Sequence, residues 1–140
     1  MKVLIVGSGG REHALGWKLK QSPLVEEVYV APGNGGSALE CINVDIKDSD
    51  LEGLVAFAKE KGIGLVVTGP ELPLVMGLGD VLAKEGIPCF GPGAFAAQLE
   101  GSKSFAKRIM HEAGVPTADC KVFDDYEVAR KHIEERSVPM

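Results

Sequence analysis

The sequence predicts an α/β fold built on an open, mostly parallel sheet flanked by helices, and three observations predict it. Short runs of apolar and β-branched residues alternate with longer amphipathic stretches, the pattern of successive β-α-β units. A glycine-rich segment, Gly7-Ser8-Gly9-Gly10-Arg11-Glu12, separates the first such run from the first amphipathic stretch. Two more segments rich in glycine and proline, Pro32-Gly33-Asn34-Gly35-Gly36 and Thr68-Gly69-Pro70-Glu71-Leu72-Pro73, follow later runs in the same way.

In chain order, strands are expected over residues 2–6, 27–31, 42–44, 65–68 and 88–90. The first helix should cover 11–21. Ser49 and Glu52 have the spacing of a capping box, opening a helix that places Leu51, Leu54, Val55 and Ala58 on one face and closes at Gly62. A further helix is expected over 74–85, with Pro73, Gly77 and Gly79 blurring its start. After Gly91-Pro92-Gly93 come short helices over 94–99 and 102–112, the second ended by Gly114 and Pro116. The pattern changes near Gly101, which sets a domain boundary between 1–101 and 102–140. A strand over 118–123, a helix over 126–135 and the opening of another strand at 137–140 complete the reading.

Bulk properties narrow the function. With 45% hydrophobic and 25% charged residues the chain has an ordinary globular composition. Its net charge of -5 argues against nonspecific binding to nucleic acid or to an anionic membrane, since no long-range positive field offsets phosphate repulsion. Cys41, Cys89 and Cys120 are odd in number and widely spaced, so they read as small core residues in a reducing compartment and not as a disulfide framework or zinc cluster. His13, His111 and His132 lack metal-ligand spacing. The chain runs directly into Val3-Leu4-Ile5-Val6 with neither a helix-length apolar segment nor a cleavage site, which predicts a cytoplasmic location.

The glycine loops carry the chemistry. At the junction of a strand and a helix, glycine permits close backbone approach, and the free N–H groups of the helix start favour an anion such as phosphate. A nicotinamide dinucleotide is the obvious candidate. Yet Glu12 stands at the third glycine position of the dinucleotide pattern, and the second strand ends in Ala31-Pro32-Gly33 where an acidic residue would hold the ribose 2′-hydroxyl. No NAD is therefore expected. All three segments fall at the carboxyl edge of a parallel sheet, where such sheets bind ligands, and the Glu71 carboxylate can accept hydrogen bonds from two sugar hydroxyls. The loops alone leave two readings open: a nicotinamide-dependent oxidoreductase domain, and a nucleotide- or ribonucleotide-binding module without chemistry; the third, a ligase fragment, rests on a resemblance.

Together, Gly7-Ser8-Gly9-Gly10-Arg11-Glu12-His13-Ala14, Ala31-Pro32-Gly33-Asn34, Gly69-Pro70-Glu71-Leu72-Pro73-Leu74-Val75 and Leu99-Glu100-Gly101-Ser102-Lys103 resemble the phosphoribosylamine–glycine ligase (glycinamide ribonucleotide synthetase) family of the ATP-grasp superfamily. The resemblance continues through Gly114-Val115-Pro116-Thr117-Ala118. It implies a Rossmann-like amino-terminal domain over 1–101 and the beginning of an ATP-grasp domain over 102–140. The activity it implies joins 5-phosphoribosylamine to glycine through an acyl phosphate made from ATP, with Mg2+ or Mn2+, in purine biosynthesis. Phosphorylation gives an otherwise inert carboxylate a leaving group. By the same resemblance Gly7, Ser8, Gly9, Gly10, Arg11, Glu12, Asn34 and Glu71 bind phosphoribosylamine and Lys103 contacts ATP. The family's catalytic and metal-binding residues fall after Met140, so this chain alone is expected to be inactive.

Overall fold

A computed structural model describes residues 1–136; the strand opening expected at 137–140 lies outside the described residues. The chain divides into two compact units, 1–101 and 102–140.

The first unit is built around β1 (Lys2–Gly7), whose Val3, Leu4, Ile5 and Val6 are wholly buried. A strand covered on both faces reads as a continuous apolar run. It pairs in parallel with β2 (Glu27–Pro32) on one side and β4 (Ile63–Thr68) on the other. The short strands β3 (Ile42–Asn43) and β5 (Cys89–Phe90) extend the sheet outward, giving the order β3-β2-β1-β4-β5, all parallel.

Alternate side chains of the strands feed two cores. Val3, Ile5, Val28, Val30 and Val67 meet Leu15 and Leu19 of α1 (Gly10–Leu19). Leu4, Val6, Tyr29, Ala31 and Val66 meet Leu54 and Ala58 of α3 (Leu51–Lys61) and Leu78 and Leu82 of α5 (Leu78–Lys84). Burial of each such aliphatic side chain contributes about 1.5–3 kcal/mol. A one-turn helix, α2 (Ser37–Glu40), precedes β3 and has no counterpart in the sequence reading.

Two helix ends differ from expectation. Asp50, not Ser49, caps α3: its Oδ1 accepts the Gly53 N–H at 2.9 Å. The segment read as one helix over 74–85 is two, α4 (Glu71–Val75) and α5, because Gly77 adopts a φ of 100° that breaks the helical path. Gly62 closes α3 in the left-handed conformation, as expected. The unit ends in α6 (Ala94–Gly101), which packs on α4; the Asp80 Oδ2 accepts the Ala94 N–H at 2.8 Å.

The second unit holds α7 (Lys103–Glu112), capped by Ser102, and α8 (Tyr126–Glu134), capped by Asp125. Residues 118–123 form no strand. A strand requires a neighbour to take its backbone hydrogen bonds, and no described segment pairs with this one. Cys120 is exposed, so it is not the core residue the sequence suggested, whereas Cys41 and Cys89 are half-buried.

Candidate functional site

Connections leave β1 in opposite directions, to β2 and β3 on one side and to β4 and β5 on the other. The carboxyl ends of β1 and β4 thus flank a topological switch point, where an open parallel sheet leaves a crevice. The loop after β1 (residues 8–9) and the loop after β4 (residues 69–70) form its rims. The loop after β2 (residues 33–36) stands beside them.

Specific bonds tie the loop after β2 to the loop after β1. The Asn34 Nδ2 donates to the carbonyl oxygens of Ser8 and Gly9 at 2.9 and 3.0 Å, joining the second loop to the first. Its Oδ1 accepts the N–H groups of Gly36 and Ser37 at 2.7 and 2.9 Å. Ser37, fully buried, accepts the Asn34 N–H at 2.8 Å and lies 2.8 Å from the Asn43 Oδ1, while the Asn43 Nδ2 donates to the Asn34 carbonyl at 2.8 Å. Ser37 and Asn43 were not singled out from the sequence. The Asn34-x-x-Ser37 spacing, typical of side chains that bond their own loop, was the available signal.

Glu12 is turned inward. It is 3% exposed; its Oε2 accepts the Gly9 N–H at 2.6 Å and its Oε1 accepts the Arg11 Nε–H at 2.9 Å. The bond to Gly9 is one arm of a capping arrangement at the start of α1, the residue at N3 reaching back to the N-cap N–H; Gly9 has no side chain to return it. Arg11 is exposed, and its other guanidinium nitrogens have no partner among the described residues. Gly7 is buried with a φ of 128°, and Ser8, Gly9 and Gly10 are exposed. Gly10 and Arg11 occupy the first helical turn, where N–H groups lack intrahelical acceptors.

Glu71 is exposed at the start of α4, with no partner among the described residues. The structure thus brings Gly7, Ser8, Gly9, Gly10, Arg11, Glu12 and Asn34 together, with Glu71 at the start of α4, directly after the loop from the neighbouring strand. Lys103 belongs to the other unit, where it opens α7 with its ammonium exposed and unpaired among the described residues. One turn further on, the Lys107 Nζ donates to the Thr117 Oγ1 and the Ala118 carbonyl, both at 2.6 Å.

The shifted ionisable groups lie elsewhere. At the amino edge of the sheet, the Tyr29 hydroxyl, followed by Lys2, holds the Glu27 carboxyl below its ordinary range. Burial pushes the Cys41 and Cys89 thiols up. A groove of about 710 Å³ lined by Leu51, Val55, Ala56 and Val81 contains none of the loop residues.

A parallel sheet ordered around a switch point, with permissive loops and a helix start at its carboxyl edge, defines a Rossmann-like domain. Residues 1–100 match the family described as phosphoribosylglycinamide synthetase, N domain, and the chain belongs to that family. It is 56% identical, over its whole length, to the phosphoribosylamine–glycine ligase of Allochromatium vinosum, of which it covers 33%. The chain therefore spans about a third of the length of the curated relatives it matches.

Among solved structures, the phosphoribosylamine–glycine ligase of Thermotoga maritima superposes with a TM-score of 0.67 and 32% identity, over 98% of this chain and 31% of that one. N5-carboxyaminoimidazole ribonucleotide synthetase from Thermus thermophilus shares the fold, with a TM-score of 0.68 and 22% identity over 98% of this chain and 37% of that one.

Proposed function

We propose that this chain is the amino-terminal part of a phosphoribosylamine–glycine ligase, that residues 1–101 bind 5-phosphoribosylamine, and that residues 102–140 begin the ATP-grasp domain. The observation that carries the reading is the family match over residues 1–100, with identity to a named ligase extending over the whole chain. The loop geometry supports it. The first turn of α1 offers backbone N–H groups and the positive end of a helix dipole to a phosphate, Arg11 adds a guanidinium suited to phosphate oxygens, and Glu71 supplies acceptors for ribose hydroxyls. Asn34, whose amide is committed to Ser8 and Gly9, serves the ligand by holding the loop in place.

In the parent ligase, glycine and ATP are the further substrates and Lys103 contacts an ATP phosphate. Magnesium or manganese, when bound with ATP, neutralises charge on the transferring phosphate. Among the described residues no three His, Cys, Asp or Glu side chains group as metal ligands, and the proposal assigns none here. No helix among the described residues is long and apolar enough to cross a membrane; a cytoplasmic location is part of the proposal. NAD is not a ligand on this reading. The Glu12 carboxylate fills the space beneath the loop, and β2 ends without an acidic residue.

Titration of the 15N-labelled chain with ribose 5-phosphate, a stable stand-in for phosphoribosylamine, tests the reading. Amide shifts should concentrate at residues 7–12, 34 and 71, and NADH at the same concentrations should leave them unmoved. Saturable NADH binding at those loops, or ribose 5-phosphate shifts confined to the groove between α3 and α5, would refute it.

A further inference from the structure

Glu12 is a buried anion, and such groups are costly unless paired and hydrogen-bonded. Its surroundings are built for it. A Cβ on Gly7 would come within 2.8 Å of the Glu12 Cγ and Cδ, one on Gly9 within 2.8 Å of Oε2, and one on Gly69 would collide with the carboxylate. Gly7 ends β1, Gly9 lies on the loop that follows it and Gly69 on the loop after β4, so one carboxylate fills the crevice between the rims of the switch point. It also holds Arg11, the exposed cation of the first turn of α1, by its Nε.

We propose, resting on the phosphoribosyl-binding reading above, that Glu12 is the positioning residue of this site. Its carboxylate locks the two rim loops and grips Arg11 through Nε, leaving the terminal guanidinium nitrogens for the ligand's phosphate. Two acceptor oxygens are needed, one for Gly9 and one for Arg11. A glutamine has the same shape but offers one acceptor and one NH2 group, so Glu12→Gln must release one of the two partners.

The test combines nuclear magnetic resonance of the ligand-free chain with a double-mutant cycle read by ribose 5-phosphate affinity. In the unaltered chain the Gly9 amide and the Arg11 Nε–H should both exchange slowly with solvent, and Glu12→Gln should expose at least one of them. Fast exchange of both in the unaltered chain would overturn the proposal. Glu12→Gln should weaken ribose 5-phosphate about tenfold, yet add less than about twofold once Arg11→Ala is present. Fully additive losses would show that Glu12 acts other than through Arg11, and would overturn it too.

Arg11→Lys guards against misfolding of the buried variant, because it alters only an exposed residue and keeps the charge. It should lose as much affinity as Arg11→Ala; binding like the unaltered chain would sink the idea. If the unaltered chain shows both protections but takes up no ribose 5-phosphate, the lock stands and the phosphoribosyl reading falls.

Discussion

At the scale of single residues, chemistry divides between groups held in place and groups left free. Glu12 and Asn34 spend their polar atoms inside the loops, whereas Glu71 and Lys103 keep theirs unpaired among the described residues. Glu71→Gln should therefore leave the fold intact and weaken ribose 5-phosphate about tenfold by calorimetry, on the order of 1.4 kcal/mol, the scale of one charge-assisted hydrogen bond. In the complete ligase, Lys103→Ala should raise the KM for ATP by a similar factor with kcat little changed, measured by initial rates at saturating glycine.

Glu27 provides a pH signature remote from the site. Its folded pKa lies below the unfolded value of about 4.3, so its stabilisation is present above that value and fades as pH falls through the folded pKa. Tyr29→Phe removes the first cause of the shift. Carboxyl titration by NMR should then show the Glu27 midpoint rising, and a midpoint unmoved by the change would contradict the assignment.

At the scale of elements, what was legible in the sequence is what local chemistry decides. The short, largely β-branched run Val3–Val6 fits a strand covered on both faces, and Gly62, just past an amphipathic stretch, fits a helix end. The cap of α3 differs by one residue because Ser49 and Asp50 are both good caps by type, and the Gly53 N–H is taken by Asp50. Residues 118–123 alternate like a strand, but pairing is a property of two segments and is not visible in one. The inward turn of Glu12 was half legible: a side chain at the third glycine position departs from the dinucleotide pattern, but only the three-dimensional approach of Gly69 shows where it goes. The α3 ends are testable by chemical denaturation. Asp50→Ala should cost about 1 kcal/mol through the loss of its bond to the Gly53 N–H. Gly62→Ala should cost a comparable amount, because an alanine is strained at a φ of 66°. Ser49→Ala should cost little, since Ser49 is exposed and not the cap.

At the scale of the whole molecule, the two units differ in how much apolar surface they bury. Among the described residues, every buried apolar side chain but Ala106 lies in residues 1–101, and four consecutive residues of β1 are completely inaccessible to solvent. In residues 102–136 the amphipathic helices α7 and α8 leave much of their apolar surface half-buried or exposed: Phe105 and Ile109 are intermediate, while Val128 and Ile133 are more than half exposed. Local opening is easiest where few apolar contacts must be broken, so hydrogen exchange should be graded along the chain. Amides of β1, β2 and β4 should exchange only through global unfolding, with a free energy that falls linearly with denaturant at the full slope of the equilibrium transition. Amides of α7 and α8 should exchange through smaller openings, at rates nearly independent of low denaturant concentrations. Mass spectrometry of peptides from 2–7, 63–68, 103–112 and 126–134 across a urea series would separate the two classes. A common exchange free energy and slope for all four peptides would mean that the two units open as one, and that the core of the first stabilises the second beyond what its own burial provides.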